Sequence, residues 1–237
     1  LQGIREEQSG GLSLWRLSFL EDMVPVVAIF SSRRGGISLP PYDSLNLAFH
    51  VGDLPPRVLK NRMMVAQWTG LPLHTWIAAQ QVHGDRVAVV TREEAGRGAL
   101  EPYTSLPFTD GLLTRERGIT LVAFFADCVP IYLAHPQGAI GLVHAGWRGT
   151  AKGIAQKAVQ QMESELGASV SQLLAAIGPA IGPCCYRVDG EVFREFKKFS
   201  WAEKVFHPLK GGSYLLDLPR ANYYQLREAG VKEENIF

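Results

Sequence analysis

Four short apolar runs crowd the middle of this chain: Gly111–Thr114, Thr120–Phe125, Val129–Ala134 and Ala139–Val143. Each has the length of a strand and is bounded by turn formers, and this cluster limits the fold more than any other feature. Further strands are expected at Val24–Ser31, Thr75–Gln81, Arg86–Val90 and Leu173–Ile177. Helical spacing of apolar residues predicts a helix over Arg57–Thr69, with Val58, Leu59, Met63, Val65 and Ala66 as its periodic set and Gly70 as its stop. Later helices are expected over 150–166, 188–199 and 218–229, the last two capped by Asp189 and Asp217. Pro41 to Pro56 reads as an extended loop. Strands arrive in clusters and helices come mostly afterwards, which favours α+β over a strictly alternating parallel sheet.

Hydrophobic residues make up 46% of the 237 positions, enough for a sizeable core, and no long linker divides the chain, so a single domain is expected. A formal charge of +1 without blocks of like charge excludes the basic footprint of a nucleic-acid binder. The longest apolar stretch, Ile119 to Ala126, is too short to cross a bilayer. The first residues lack the basic start and apolar run of a signal peptide. Three cysteines, two of them adjacent at Cys184 and Cys185, make no disulfide framework. Neighbouring Cα atoms sit ~3.8 Å apart, below the usual disulfide span. A reducing cytoplasm is the expected setting.

Three segments place a metal-capable side chain where an apolar strand stops: Gln80-Gln81-Val82-His83-Gly84, Ala126-Asp127-Cys128-Val129-Pro130 and His144-Ala145-Gly146-Trp147-Arg148-Gly149. If Val129–Ala134 and Ala139–Val143 pair as a hairpin, Cys128 and His144 meet at its open end, opposite the His135–Gly138 turn. Two imidazoles and a thiolate suit zinc, and three protein ligands leave a fourth position open, as catalytic sites require. A strand running through Gly146-Trp147-Arg148-Gly149 into a helix offers an anion site with Arg148 beside it. The Ser31–Gly36 loop offers hydroxyls and a guanidinium of the same kind. Cys184 and Cys185 are expected to pack as inert thiols beneath the pocket.

These stretches occur in a distinctive order: Phe30–Ser38, Asn46–Asp53, QVHG, Asp110-Gly111, ADCVPI, HAGWRG and GPAIGPCCY. Together they resemble the purine nucleoside phosphorylase family also called laccase-domain or multicopper polyphenol oxidoreductase proteins. The resemblance runs from about Ser31 to Tyr186 and continues more loosely to the end. It implies one domain over 1–237, lacking the family's Cys-containing, Arg-bearing C-terminal tail. The implied fold is an α-β-β-α sandwich with mixed sheets, similar to the toxin-like cysteine hydrolase fold. It also implies zinc held by His83, Cys128 and His144, with purine nucleosides and inorganic phosphate as partners. The implied reactions are phosphorolysis of adenosine, inosine and S-methyl-5′-thioadenosine, and hydrolytic deamination of adenosine. Arg33, Asn46, His50 and Arg148 are the implied substrate and phosphate residues.

Within that reading Asp127, next to Cys128, is a candidate proton shuttle. One alternative is a cysteine hydrolase or deamidase with Cys128 as nucleophile and His144 or His83 as base. Another is copper-dependent phenol oxidation, although Met23, Met63, Met64 and Met162 all fall outside the motif segments and supply no obvious axial ligand. A zinc-stabilised interaction module would need a fourth protein ligand, for which His50 is the nearest candidate.

Overall fold

The computed structural model describes residues 3–237. It begins with an antiparallel sheet of β1 (Arg5–Ser9), β2 (Leu12–Arg16) and β3 (Ile29–Ser31), with helix α1 (Ser18–Met23) between the last two. The strand expected over Val24–Ser31 is therefore much shorter. Pro25 lacks an N–H for a ladder, and Val24 and Ala28 instead join a small core with Leu17 and Leu20.

Helix α2 (Pro55–Thr69) starts with proline in its first turn and ends at Gly70, whose φ of +69° suits a residue without Cβ. Its packed face corrects the expected one. Met63 is exposed, while Asn61 and Arg62 are buried beside Val58, Val65 and Ala66. The reason is the long loop before the helix, whose backbone groups need partners. Asn61 accepts from the Ile37 amide and donates to Ser38 Oγ and the carbonyl of Asn46, all at 2.9 Å. The loop is thus held by polar teeth on the helix.

The middle of the chain supplies β4 (Trp76–Ala78), β5 (Val87–Val89), β6 (Gly111–Thr114), β7 (Thr120–Val122), β8 (Val129–Ala134) and β9 (Ile140–Ala145). Next come α3 (Trp147–Ala151), α4 (Ile154–Ser164), β10 (Leu174–Ile177), β11 (Arg187–Val188), α5 (Gly190–Phe196), α6 (Ala202–Val205), β12 (Phe206–Pro208), β13 (Tyr214–Leu216) and α7 (Leu218–Glu228). The helix expected from residue 150 starts earlier and breaks at Gly153, whose φ of +81° no continuous helix allows. Asp189 and Asp217 cap α5 and α7 as expected, accepting from the amides of Glu191 and Val192 and of Arg220 respectively. The small sheet β11-β13-β12 was not foreseen, because its strands have only two or three residues each and show no alternation to read.

The central sheet has the order β10-β8-β9-β6-β5, antiparallel except for the β5–β6 pair. Strand alternation gives it two different faces. Val129, Ile131, Leu133, Val143 and Ala145 pack against Ile154, Ala155, Ala158, Val159 and Met162 of α4. Each large aliphatic side chain buried here contributes roughly 1.5–3 kcal/mol. On the other face Leu112 packs with Ile77 of β4, in the parallel β4–β7 ribbon, while Trp76 meets Val65 and Ala66 of α2. The chain is a mixed α+β protein with several sheets.

Candidate metal centre and its pocket

Strand register decides where His144 goes. In the β8–β9 hairpin Pro130 faces His144 and Val129 faces Ala145. His144 therefore lies on the face turned away from α4, and Cys128, two residues before Pro130, reaches the same face from the hairpin's open end. The turn at the other end closes through the His135 amide donating to the Ala139 carbonyl at 2.8 Å. His83 arrives on the loop between β4 and β5. The donor atoms of His83, Cys128 and His144 all lie within 4.8 Å of one another. Across them His144 is buried, Cys128 half-buried and His83 exposed, a gradient that opens the cluster to one side.

Asp110 builds this cluster, and sequence reasoning gave it no role. Its carboxylate accepts from the amides of Val82, His83 and Gly84 at 3.2, 3.0 and 2.8 Å. It also bonds His144 Nδ1 at 2.8 Å, while its own carbonyl accepts from the His144 amide at 2.7 Å. Those three amides hold His83 at a φ of +58°, a left-handed conformation that costs a non-glycine residue about 1 kcal/mol or more. The bond to Nδ1 leaves Nε2 of His144 as the donor available to a metal. Burial opposes ionisation of Asp110, but the bonds from His144 and the loop amides outweigh it and hold its pKa below the usual range. The available signal was a lone carboxylate set directly before a fully buried strand.

Burial pushes the Cys128 thiol up to about 11, and the charges of Asp127 and Asp110 add to the effect. Without a cation such a thiol is a weak nucleophile, whereas a coordinating metal deprotonates it. Burial and neighbouring His144 lower the pKa of His83, which keeps its ring neutral and able to ligate. The donor set fits a metal ion: two imidazoles, one ionisable thiol and an open side.

Both glycines of the HAGWRG segment are explained by close approach. A Cβ on Gly146 would stand 2.9 Å from Cys128 Sγ and 3.0 Å from His83 Cδ2, inside the space the ligands share. A Cβ on Gly149 would stand 2.6 Å from the Gly84 carbonyl and would wedge α3 away from the His83 loop. Gly146→Ala is expected to weaken metal affinity at least about tenfold with little loss of fold, read by competition with a chromophoric chelator. Unchanged affinity would show that the ligands do not close on a common ion.

A cavity of about 1650 Å³ starts at the three ligands, and Arg33, Asn46, His50 and Asp127 also line it. Several of these groups already have partners. Arg33 donates to the carbonyl of Asp43 and to its carboxylate at 3.2 Å. The Asn46 amide donates to Asp53 Oδ2 and the Ala48 carbonyl and accepts from the Ala48 amide, so it shapes its own loop. His50 is exposed beside Phe124, with ring centroids 6.5 Å apart. Asp127 is exposed, and its carbonyl accepts from the Ile181 amide of the Gly178–Tyr186 loop at 2.9 Å. Arg148 does not line the cavity, although its charge lies close enough to help lower the pKa of His83. It stacks over Trp147 at 4.3 Å from the ring centroid, in the first turn of a five-residue helix. Cys184 and Cys185 correct another expectation, since both are exposed rather than packed, with their sulfurs 3.0 Å apart.

The geometry has close counterparts. A protein called purine nucleoside phosphorylase YlmD, from Geobacillus stearothermophilus, is 43% identical over 214 residues, 89% of this chain and 78% of that one. Adenosine deaminase RL5, from an unknown prokaryotic organism, is 37% identical over 229 residues, 95% of this chain and 87% of that one. The crystal structure of YlmD from Geobacillus stearothermophilus superimposes with a TM-score of 0.93 at 39% identity, covering 99% of this chain and 87% of that one. The model of one family, multi-copper polyphenol oxidoreductase laccase, matches residues 27–237, and the chain belongs to that family.

Proposed function

We propose that this chain is a zinc enzyme of purine nucleosides, which cleaves adenosine, inosine and S-methyl-5′-thioadenosine with phosphate and deaminates adenosine by hydrolysis. The observation that carries the reading is the open His83–Cys128–His144 cluster at the head of a large cavity. The names of its relatives, a purine nucleoside phosphorylase and an adenosine deaminase, support the choice of substrate. Zinc, when bound, supplies Lewis acidity at the position that three protein ligands leave open. Asp110 fixes the ring and tautomer of His144 and holds the His83 loop. Asp127 moves the proton at the cavity mouth, where its exposure lets it exchange with solvent. Arg33 and His50, which line the cavity, hold phosphate and sugar, and Asn46 keeps their loop in shape. Arg148, stacked on Trp147, adds positive charge near His83 for the same phosphate. The three free thiols suit a reducing cytoplasm. None of the residues lining the cavity is a methionine among the described residues, which leaves a blue-copper centre without its usual axial partner.

Metal analysis of purified protein, paired with chromatography of adenosine incubated with and without phosphate, tests the proposal. About one zinc per chain is expected, with adenine released only when phosphate is present and inosine formed in either case. Cys128→Ala is expected to lose the zinc and both activities, and full turnover by that metal-free variant would overturn the assignment. A second reading, a cysteine hydrolase with Cys128 attacking and a histidine as base, draws on the closeness of the same three side chains. Alkylation sensitivity combined with indifference to chelators would select it.

A further inference from the structure

An aromatic row leads away from the metal ligands along the cavity. The ring of Phe125 lies 5.5 Å from that of His144, Phe30 lies 6.1 Å from Phe125, and Trp15 lies 6.2 Å from Phe30 with planes 27° apart. Trp15 and Phe30 are directly paired across β2 and β3, so the N-terminal sheet carries two of the three rings as a rigid unit. All three residues line the cavity, all three are half-buried, and none belongs to the fully buried core.

The first ring of the row is actively oriented. Gln81, two residues before His83, donates through Nε2 to the Phe124 carbonyl and accepts from the Phe124 amide through Oε1, each at 2.8 Å. This side-chain amide takes the place of a neighbouring strand for the segment between β7 and Cys128. Phe124 then turns its ring under Arg62, 4.5 Å from the guanidinium carbon, while Phe125 takes the opposite side, next to His144. The same clamp that spaces the His83 and Cys128 loops therefore presents Phe125 to the cavity.

We infer that Phe125, backed by Phe30 tilted 41° to it and by Trp15, is the ring on which the purine base stacks, and that it sets the preference for two-ring over one-ring bases. The inference rests on the purine nucleoside reading above and names the part of the pocket that recognises the base. Flat π faces attract one another with offset geometry, and a bicyclic base covers more of such a face than a pyrimidine does. The polar residues Arg33 and His50 then face the sugar and phosphate, and the bond that reacts lies toward the ligand cluster, within a ring's width of Phe125.

The test is calorimetric binding of hypoxanthine and of ribose 1-phosphate, measured separately on the zinc-loaded wild type, Phe125→Leu and Phe30→Leu. Leucine keeps apolar volume and removes the π face. Hypoxanthine is expected to bind roughly tenfold more weakly to Phe125→Leu and about threefold more weakly to Phe30→Leu, with ribose 1-phosphate affected by less than about twofold. In turnover the loss should fall on KM for the nucleoside rather than KM for phosphate, with metal content unaltered. Unchanged hypoxanthine affinity in both variants overturns the inference, as does equal weakening of both ligands, which would mean a distorted pocket. Wild type that binds neither hypoxanthine nor inosine would overturn the purine reading itself, whereas binding by the wild type with indifferent variants overturns only the role of the aromatic row.

Discussion

Asp110→Ala is expected to be among the most damaging single substitutions in the chain, destabilising it by about 3–5 kcal/mol and weakening metal affinity by about 10–100-fold. The residue is only 3% exposed, and its removal strands the amides of Val82, His83 and Gly84 together with His144 Nδ1. The His83 loop then loses what holds its left-handed residue. Asp110→Asn separates the two effects. Its shape is retained, but an NH₂ group must face one of these donors, so metal affinity should fall while much of the fold survives. The sign of the pH dependence follows from the depressed pKa of Asp110. Its contribution is fully present above the unfolded carboxylate value of about 3.9 and is lost as pH falls through the lower folded value. Denaturant midpoints of metal-free wild type and Asp110→Asn should therefore differ at neutral pH and converge in strong acid. A constant gap down to the lowest pH would show that the carboxylate's charge is not what holds the loop.

Arg62→Ala is expected to cost about 3–5 kcal/mol, a fall in Tm of roughly 10 °C for a chain of this size. Arg62 is 1% exposed, and burial lowers its pKa to about 9, which still leaves it charged at neutral pH. Instead of a carboxylate it meets the carbonyls of Leu47, Gly98 and Ala99 at 2.8, 2.6 and 2.8 Å. Its guanidinium carbon also lies over Phe49 and Phe124, 4.2 and 4.5 Å from their centroids. One planar side chain thus joins three loops: the one carrying Asn46 and His50, the one around Ala99, and the one leading to Cys128. Arg62→Lys should recover little, since a point charge cannot span three carbonyls and stack on two rings. Calorimetric unfolding of both variants tests this, and a lysine variant as stable as the wild type would show that charge alone suffices.

Much of the central sheet was legible beforehand, and for a local reason. Gly111–Thr114 and Val129–Ala134 are strands at the expected bounds because alternation and turn residues act over a few positions. The pairing that brings Cys128 and His144 to one end followed from the short His135–Gly138 turn. The β11-β13-β12 sheet and the hairpin of β1 and β2 left no such trace, since their strands are short or lie at an exposed edge. On α2 the pattern misled, because Met63 fits the apolar spacing while Asn61 and Arg62 are the residues actually buried.

Residue types and their spacing by themselves determined that the chain is a mixed α+β protein and that Cys128 and His144 lie at one end of a hairpin, whereas His83, expected at a strand end, lies on the loop between β4 and β5. Only the tertiary structure decided that the three converge, that Asp110 holds two of them, that Arg148 stays on Trp147, and that the pair Cys184–Cys185 is exposed. The physical difference lies in range. Strand and turn preferences are written in neighbouring residues, whereas a buried carboxylate or guanidinium is stable only where distant backbone donors or acceptors meet it, and that meeting exists only in the folded chain.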